Sequence, residues 1–206
     1  MATLDNRQYF PSFDELPLMD EFVDPVYYAD VGGGTMLPTK HWAFVADIVD
    51  DSLSHMADFF HRVEVRDLTG TSASVLFTPD QRMNYGQLRR GCTLFVRYAA
   101  KAYFSDLITQ VIKVEDCAYV KVIPRPLDDL MMLSAWYFGG STCAACRAPL
   151  GGAGVACGRC EAAHYCGGAC MAAHAREHAA HCGLCASLMQ VLNVDMDRFM
   201  QPVPFR

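Results

Sequence analysis

The sequence predicts an α+β chain: a small antiparallel β-barrel followed by a compact cysteine-rich module with short helices. Three observations predict this. Between residues 42 and 123, five short runs rich in β-branched and aromatic residues are separated by turn-forming residues, with one polar stretch in the middle. From residue 143 the composition changes, and seven cysteines and a histidine recur at short spacings. Residues 1–37 differ from both, with seven acidic residues against Arg7 alone. The predicted division is an acidic arm over 1–39, the barrel over 40–138, the cysteine-rich module over 141–183, and a helix and tail over 184–206. Gly139, Gly140 and Ser141 form a short flexible link.

The arm mixes its acids with Phe10, Phe13, Leu16, Phe22, Tyr27 and Tyr28. Such a composition suits an acidic-hydrophobic interaction segment. The preferred reading is an extended arm packed on the domain behind it, because aromatic residues at this density usually find a surface. Gly32, Gly33 and Gly34 then read as a hinge. Residues 42–49 form an apolar β-type run interrupted only by Asp47, the mark of a largely buried strand. Residues 59–67 end in alternation, with Val63 and Val65 against Glu64 and Arg66, and residues 72–77 follow a turn at 67–70, so these two runs pair as a hairpin. Residues 79–88 are polar and suit a short helix. Strands are expected at 92–98 and 119–123, the latter ended by Pro124. Pro126 opens a helix, since the first turn tolerates a missing N–H. Three strands, a short helix and two further strands is the order of an OB-type Greek-key barrel. Residues 184–199 read as a second helix with Leu188, Val191 and Leu192 on one face.

The cysteine run is Cys143-x2-Cys146-x10-Cys157-x2-Cys160-x5-Cys166-x3-Cys170-x7-His178-x3-Cys182. Eight such ligands are two tetrahedral sets, and structural zinc takes four protein ligands with no position open. Each Cys-x2-Cys pair sets two sulfurs on one tight turn. Cys166 and Cys170, like His178 and Cys182, are four apart, which places them on one face of a helical turn. A disulfide framework is the competing use of ten cysteines, but the start of the chain lacks a charged region followed by an apolar run, and the cysteines bunch in one segment. The expectation is therefore two Zn²⁺ ions in a reducing compartment, the cytosol or nucleus. Spacing alone permits a sequential partition, first four then last four, or an interleaved one. His164, His174 and His181 are expected at the surface and Cys185 to be surplus, because the ligand count closes without them.

Cys-x2-Cys, Cys-x2-Cys, Tyr165-Cys166, x3-Cys, x7-His, x3-Cys resembles the MYND zinc finger over about 40 residues, with every ligand position filled. The resemblance implies interleaved sites: Cys143, Cys146, Cys166 and Cys170 on one ion, Cys157, Cys160, His178 and Cys182 on the other. It also implies a module that recognises short proline-containing peptides through a glutamine after the sixth ligand and a tryptophan three residues before the histidine. Here those positions hold Met171 and Ala175, so ordinary proline-peptide binding is not expected. The groove is then lost, or it takes another partner such as a helix packing closely on alanine. Residues 40–135 are similar, less specifically, to a domain preceding MYND fingers in fungal proteins, through Trp42, Val75-x-Phe77, Gly91-x-Thr93-Leu94 and Val122-Ile123-Pro124. The loop from Leu107 to Gln110 departs from that pattern and is expected to be rebuilt.

No phosphate loop, nucleophile elbow or metalloprotease motif is present, and a full ligand set leaves zinc no open position for catalysis. A pairing of Cys117 with His61 is outweighed by the reading of Cys117 as a core residue. The expected function is a non-enzymatic, zinc-binding interaction or scaffold protein. The alternative is a nucleic-acid-associated factor using the barrel, with Arg62, Arg66, Arg89, Arg90, Arg97 and Lys101 beside Tyr85, Tyr98 and Tyr103. Outside residues 1–37 the sixteen acidic and sixteen basic residues cancel, which argues against a strong nonspecific nucleic-acid binder. No run of 18 apolar residues occurs, so no membrane span is expected.

Overall fold

The computed structural model describes residues 2–19, 24–52, 60–139, 142–151 and 154–205. Phe22, His55, the predicted strand start at Phe59 and most of the Gly-Gly-Ser link lie outside these. The chain is α+β and divides into two units, one of residues 1–5 and 128–194, the other of residues 6–127 and 195–206.

The second unit is built on a seven-stranded sheet. Its strands are β3 (Ala43–Asp50), β4 (His61–Asp67), β5 (Ser72–Phe77), β6 (Thr93–Arg97), β7 (Lys101–Tyr103), β8 (Gln110–Val114) and β9 (Val120–Ile123), in the order β7-β8-β5-β4-β3-β6-β9. β3 is an interior strand, paired on both sides and mostly buried, as its apolar residues require. β4 and β5 form the expected hairpin. Its turn is closed by buried Asp67, whose Oδ1 accepts the N–H groups of Thr69 at 2.8 Å and Thr71 at 2.9 Å. The core holds Trp42, Phe44, Ile48, Val65, Phe77 and Leu94.

Two features differ from the expected barrel. The sheet is mixed, because β8 pairs with β5 in parallel. It is also open, with β7 and β9 at its edges. The reason is local. β8 and β9 belong to one stretch of chain interrupted by a 3-10 turn, Cys117–Tyr119, which Asp116 caps by accepting the Ala118 N–H at 2.9 Å. The first half pairs with β5 and the second with β6, so the hydrogen-bond ladder breaks at the turn. β7 and β8 form a hairpin that the sequence pattern does not reveal. Its tip is the loop at 104–109, where Asp106 accepts N–H bonds from Ile108 and Thr109.

The arm packs, as preferred. Phe10, Phe13, Leu16 and Tyr27 are buried, Phe13 N–H donates to Asp67 Oδ2 at 2.7 Å, and Ala43 N–H donates to Tyr9 O at 2.9 Å. The glycine triplet is a hairpin turn rather than a hinge: it joins β1 (Tyr28–Asp30) to β2 (Met36–Pro38), and all three glycines have positive φ. Residues 195–206 also belong to this unit.

The other unit contains α1 (Leu127–Phe138) from residue 128 onward, a two-stranded ribbon of β10 (Val155–Ala156) and β11 (His164–Tyr165), and α2 (Gly168–Leu192). α1 starts directly after Pro126. α2 is one continuous helix of 25 residues where two were expected. It passes through Gly183 and stops at Asn193, so the expected boundary at 183/184 falls inside it, and the expected helical stretch to Phe199 ends early. Its buried side chains, His174, His178, Cys182, Cys185, Leu188, Val191 and Leu192, recur mostly three or four apart and form one inward stripe.

Candidate metal centres

Two similar turns position the first four cysteines. In each, the residue after the second cysteine is left-handed, Arg147 at φ +63° and Glu161 at φ +58°. Each closes with an N–H back to the first cysteine's carbonyl: Arg147 to Cys143 O and Glu161 to Cys157 O, both at 2.9 Å. That wrap turns both thiols of a pair to one side. The β10–β11 ribbon brings Cys166 back beside the first turn, where its N–H donates to Cys143 Sγ at 3.4 Å. Cys170 enters from the first turn of α2, and His178 and Cys182 come from later turns, on its inward stripe.

The result is interleaved. Cys143, Cys146, Cys166 and Cys170 form one group and Cys157, Cys160, His178 and Cys182 the other, and within each all ligand atoms lie within 4.8 Å of one another. Either group could hold a metal ion. Cys146 and Cys166 Sγ are 3.5 Å apart, Cys157 and Cys182 Sγ 3.9 Å, and Cys160 Sγ and His178 Nε2 3.4 Å. The edges of a zinc tetrahedron with Zn–S of about 2.3 Å and Zn–N of about 2.0–2.1 Å are roughly 3.8 Å between two sulfurs and 3.6 Å between sulfur and nitrogen. The three distances match those edges to within about 0.3 Å.

Crowded thiols titrate apart. Backbone N–H donors, Cys146 first and then Cys166 and Ala145, pull the Cys143 thiol down to about 6. Hydrogen bonding to Cys146 and Cys143, whose negative charge adds to the effect, pushes Cys166 up to about 12, and Cys170 is raised by the same neighbours. In the other group burial, followed by Cys157, pushes Cys182 up to about 11. Deprotonating so many thiols this close together calls for a cation among them.

A layer behind the second group was not foreseen. His174, expected at the surface, is buried because it lies on the inward stripe four residues before His178. Its Nδ1 is 3.2 Å from the hydroxyl of buried Tyr165, and its Nε2 is 3.6 Å from the Glu177 carboxylate. The Tyr137 ring meets His178 edge-on at 5.4 Å, and His174 stacks on it at 6.1 Å. His178 Nδ1 has no hydrogen-bond partner among the described residues, so packing rather than a second hydrogen bond holds that side of the ring. The 174/178/182 spacing was the available signal. Cys185 is buried, and burial pushes its thiol up to about 12, as suits an inert core residue. His164 is exposed and His181 half-buried.

Met171 and Ala175 are exposed on the outer face of α2. Cys117 is buried and its thiol raised by burial, while His61 stacks on Tyr85 at 3.7 Å. Of the arginines singled out for nucleic acid, Arg62 pairs with Glu64 at 2.8 Å and Arg97 is only 7% exposed. Arg66, Arg89, Arg90 and Tyr103 are exposed. All ten cysteines are free thiols, and among the described residues no helix is long and apolar enough to cross a membrane. The chain matches no model of a known protein family, and no curated protein matches it.

Proposed function

We propose that the two groups hold two Zn²⁺ ions in a MYND-type finger and that the chain works as a non-enzymatic interaction or scaffold protein in the cytosol or nucleus. The observation that carries this is the interleaved assembly of Cys143, Cys146, Cys166 and Cys170 beside Cys157, Cys160, His178 and Cys182, with ligand atoms within 4.8 Å of one another in each group and three pairs near tetrahedral edge lengths. Free thiols favour a reducing compartment. Thiolate-rich closed sets favour zinc over hard cations and leave no position for a substrate. The exposed, alanine-rich outer face of α2, with Met171 and Ala175 where a polar hook and an aromatic wall would stand, suits a closely packed partner helix better than a proline peptide. We read the sheet as an OB-type barrel opened at the Cys117–Tyr119 turn, a reading supported by the β3–β6 and β5–β8 pairings.

Cobalt substitution tests the metal assignment. Two equivalents of Co²⁺ should give the intense visible bands of tetrahedral thiolate sites, one with four sulfur ligands and one with three sulfurs and an imidazole nitrogen, and Zn²⁺ should bleach both. A single equivalent, or octahedral bands, would overturn it. For the interaction role, a partner should be lost with Cys160→Ser while the sheet unit stays folded. Salt-sensitive single-stranded DNA binding that survives Cys160→Ser would instead favour the nucleic-acid reading.

A further inference from the structure

The sheet unit carries a second recognition geometry, independent of the metal assignment. Residues 202–205 read Pro-Val-Pro-Phe. Pro202 and Pro204 fix their own φ, and Val203, preceding a proline, is kept out of the helical region, so the segment is stiff and extended. It lies between the end of β6 and the turn preceding β9. There each backbone polar group from Val203 N to Phe205 N is met. Val203 N–H donates to the Tyr98 hydroxyl at 2.9 Å. The Arg97 guanidinium donates to Val203 O at 2.7 Å and Pro204 O at 3.3 Å. Phe205 N–H donates to Ala118 O at 2.8 Å. Pro204 has no N–H to satisfy. The same guanidinium sits 4.1 Å from the centre of the Phe205 ring, a stacked cation–π contact.

This groove is costly to build. Arg97 is almost fully buried. Tyr98 is left-handed at φ +55°, a conformation that residues with a Cβ rarely adopt. Beside the segment opens a cleft of about 330 Å³ that Trp42, Tyr98, Tyr119, Phe199 and Pro202 line rather than fill. Its rings meet edge to face, Trp42 with Tyr98 at 5.3 Å and Tyr98 with Tyr119 at 5.6 Å. Aromatic-lined grooves whose polar groups address the backbone are how preformed proline-rich segments are recognised. The contacts read main chain and one aromatic ring while the prolines keep the segment extended, so they are available to any segment of that pattern.

We propose that the Arg97–Tyr98–Ala118 groove is a docking site for an extended Pro-x-Pro-aromatic segment of a partner protein, and that residues 202–205 are its resident occupant, competing in cis. The adjoining cleft offers a partner contacts that a second copy of the same segment would not add.

The test uses the full chain and a fluorescein-labelled peptide of residues 199–205. Phe205→Lys unseats the resident segment by replacing its ring with a like charge beside the Arg97 guanidinium. The peptide should bind this variant about tenfold or more tightly than the unchanged chain, because a cis competitor at millimolar effective concentration is removed. Adding Arg97→Gln should abolish binding. Adding Tyr98→Phe, which removes only a hydroxyl, should weaken it several-fold even if the arginine variant fails to fold. Equal binding to the unchanged and Phe205→Lys chains would overturn the proposal, as would an equally tight peptide with both prolines replaced by alanine. A dimer that the peptide dissolves would assign the groove to a second copy and overturn the partner reading.

Discussion

The sheet unit and the cysteine-rich segment 143–182 are held together by different physics. The first buries Trp42, Phe44, Phe77, Phe95, Ile48 and Leu94, large side chains that close-pack and exclude water. Within 143–170 the described buried side chains are Cys143, Ala144, Cys160, Ala162, Ala163 and Tyr165, only one of them large. At roughly 25 cal/mol per Å² of apolar surface, three alanines contribute little. What that segment has instead is eight ligand atoms converging on two points. One region is specified by volume and pattern, the other, on the proposed reading, by coordination, and each should then fail under treatments that spare its neighbour.

Metal removal should separate them most sharply. Structural zinc in small fingers supplies on the order of 10–16 kcal/mol. A strong chelator should therefore abolish hydrogen-exchange protection over 143–182 while β3–β6 stay protected. Acid should act in the same direction. In the metal-free chain Cys166, Cys170 and Cys182 have raised pKa values and are protonated at neutral pH, so metal uptake there releases at least their three protons. Affinity falls as pH falls. Below about pH 6 the Cys143 thiol also protonates, and the pH dependence should steepen. Calorimetric zinc titrations in buffers of different ionisation enthalpy would count the protons.

The reverse experiment attacks the core. Phe77→Ala should cost about 3–5 kcal/mol of sheet-unit stability in denaturant titrations and leave metal stoichiometry unchanged. Asp67→Ala should cost less, about 1–3 kcal/mol, because it orphans the turn N–H groups of Thr69 and Thr71 and that of Phe13 together. The smallest expected effect is Tyr165→Phe. Losing the hydroxyl beside His174 should cost about 1 kcal/mol and slightly speed metal loss from the group that contains His178, leaving the other group unaffected.

The same contrast explains what could be read from the sequence. The eight ligands were legible because coordination imposes short fixed spacings. Their interleaving could not be read from spacing, since it depends on the β10–β11 ribbon returning Cys166 to the first turn, and two-residue strands leave no periodic trace. β3, β4 and β5 were legible from apolar runs and alternation. β8 was not, because Gln110–Val114 neither alternates nor forms an unbroken apolar run, and its parallel pairing with β5 is set by chain geometry. Gly183 looked like a helix boundary but sits exposed within α2, where a glycine costs only about 1 kcal/mol against the packing of the inward stripe. Residues 32–34 looked like a hinge because a run of glycines marks flexibility and a tight turn alike.

The central claim is that coordination to two ions organises the cysteine-rich region. Native mass spectrometry of the full chain, purified without added metal, tests it most directly. The expected result is a mass excess of two Zn²⁺ per chain, lost together with the protection of 143–182. A chain carrying no metal, or a single ion, with that region still protected from exchange would contradict it.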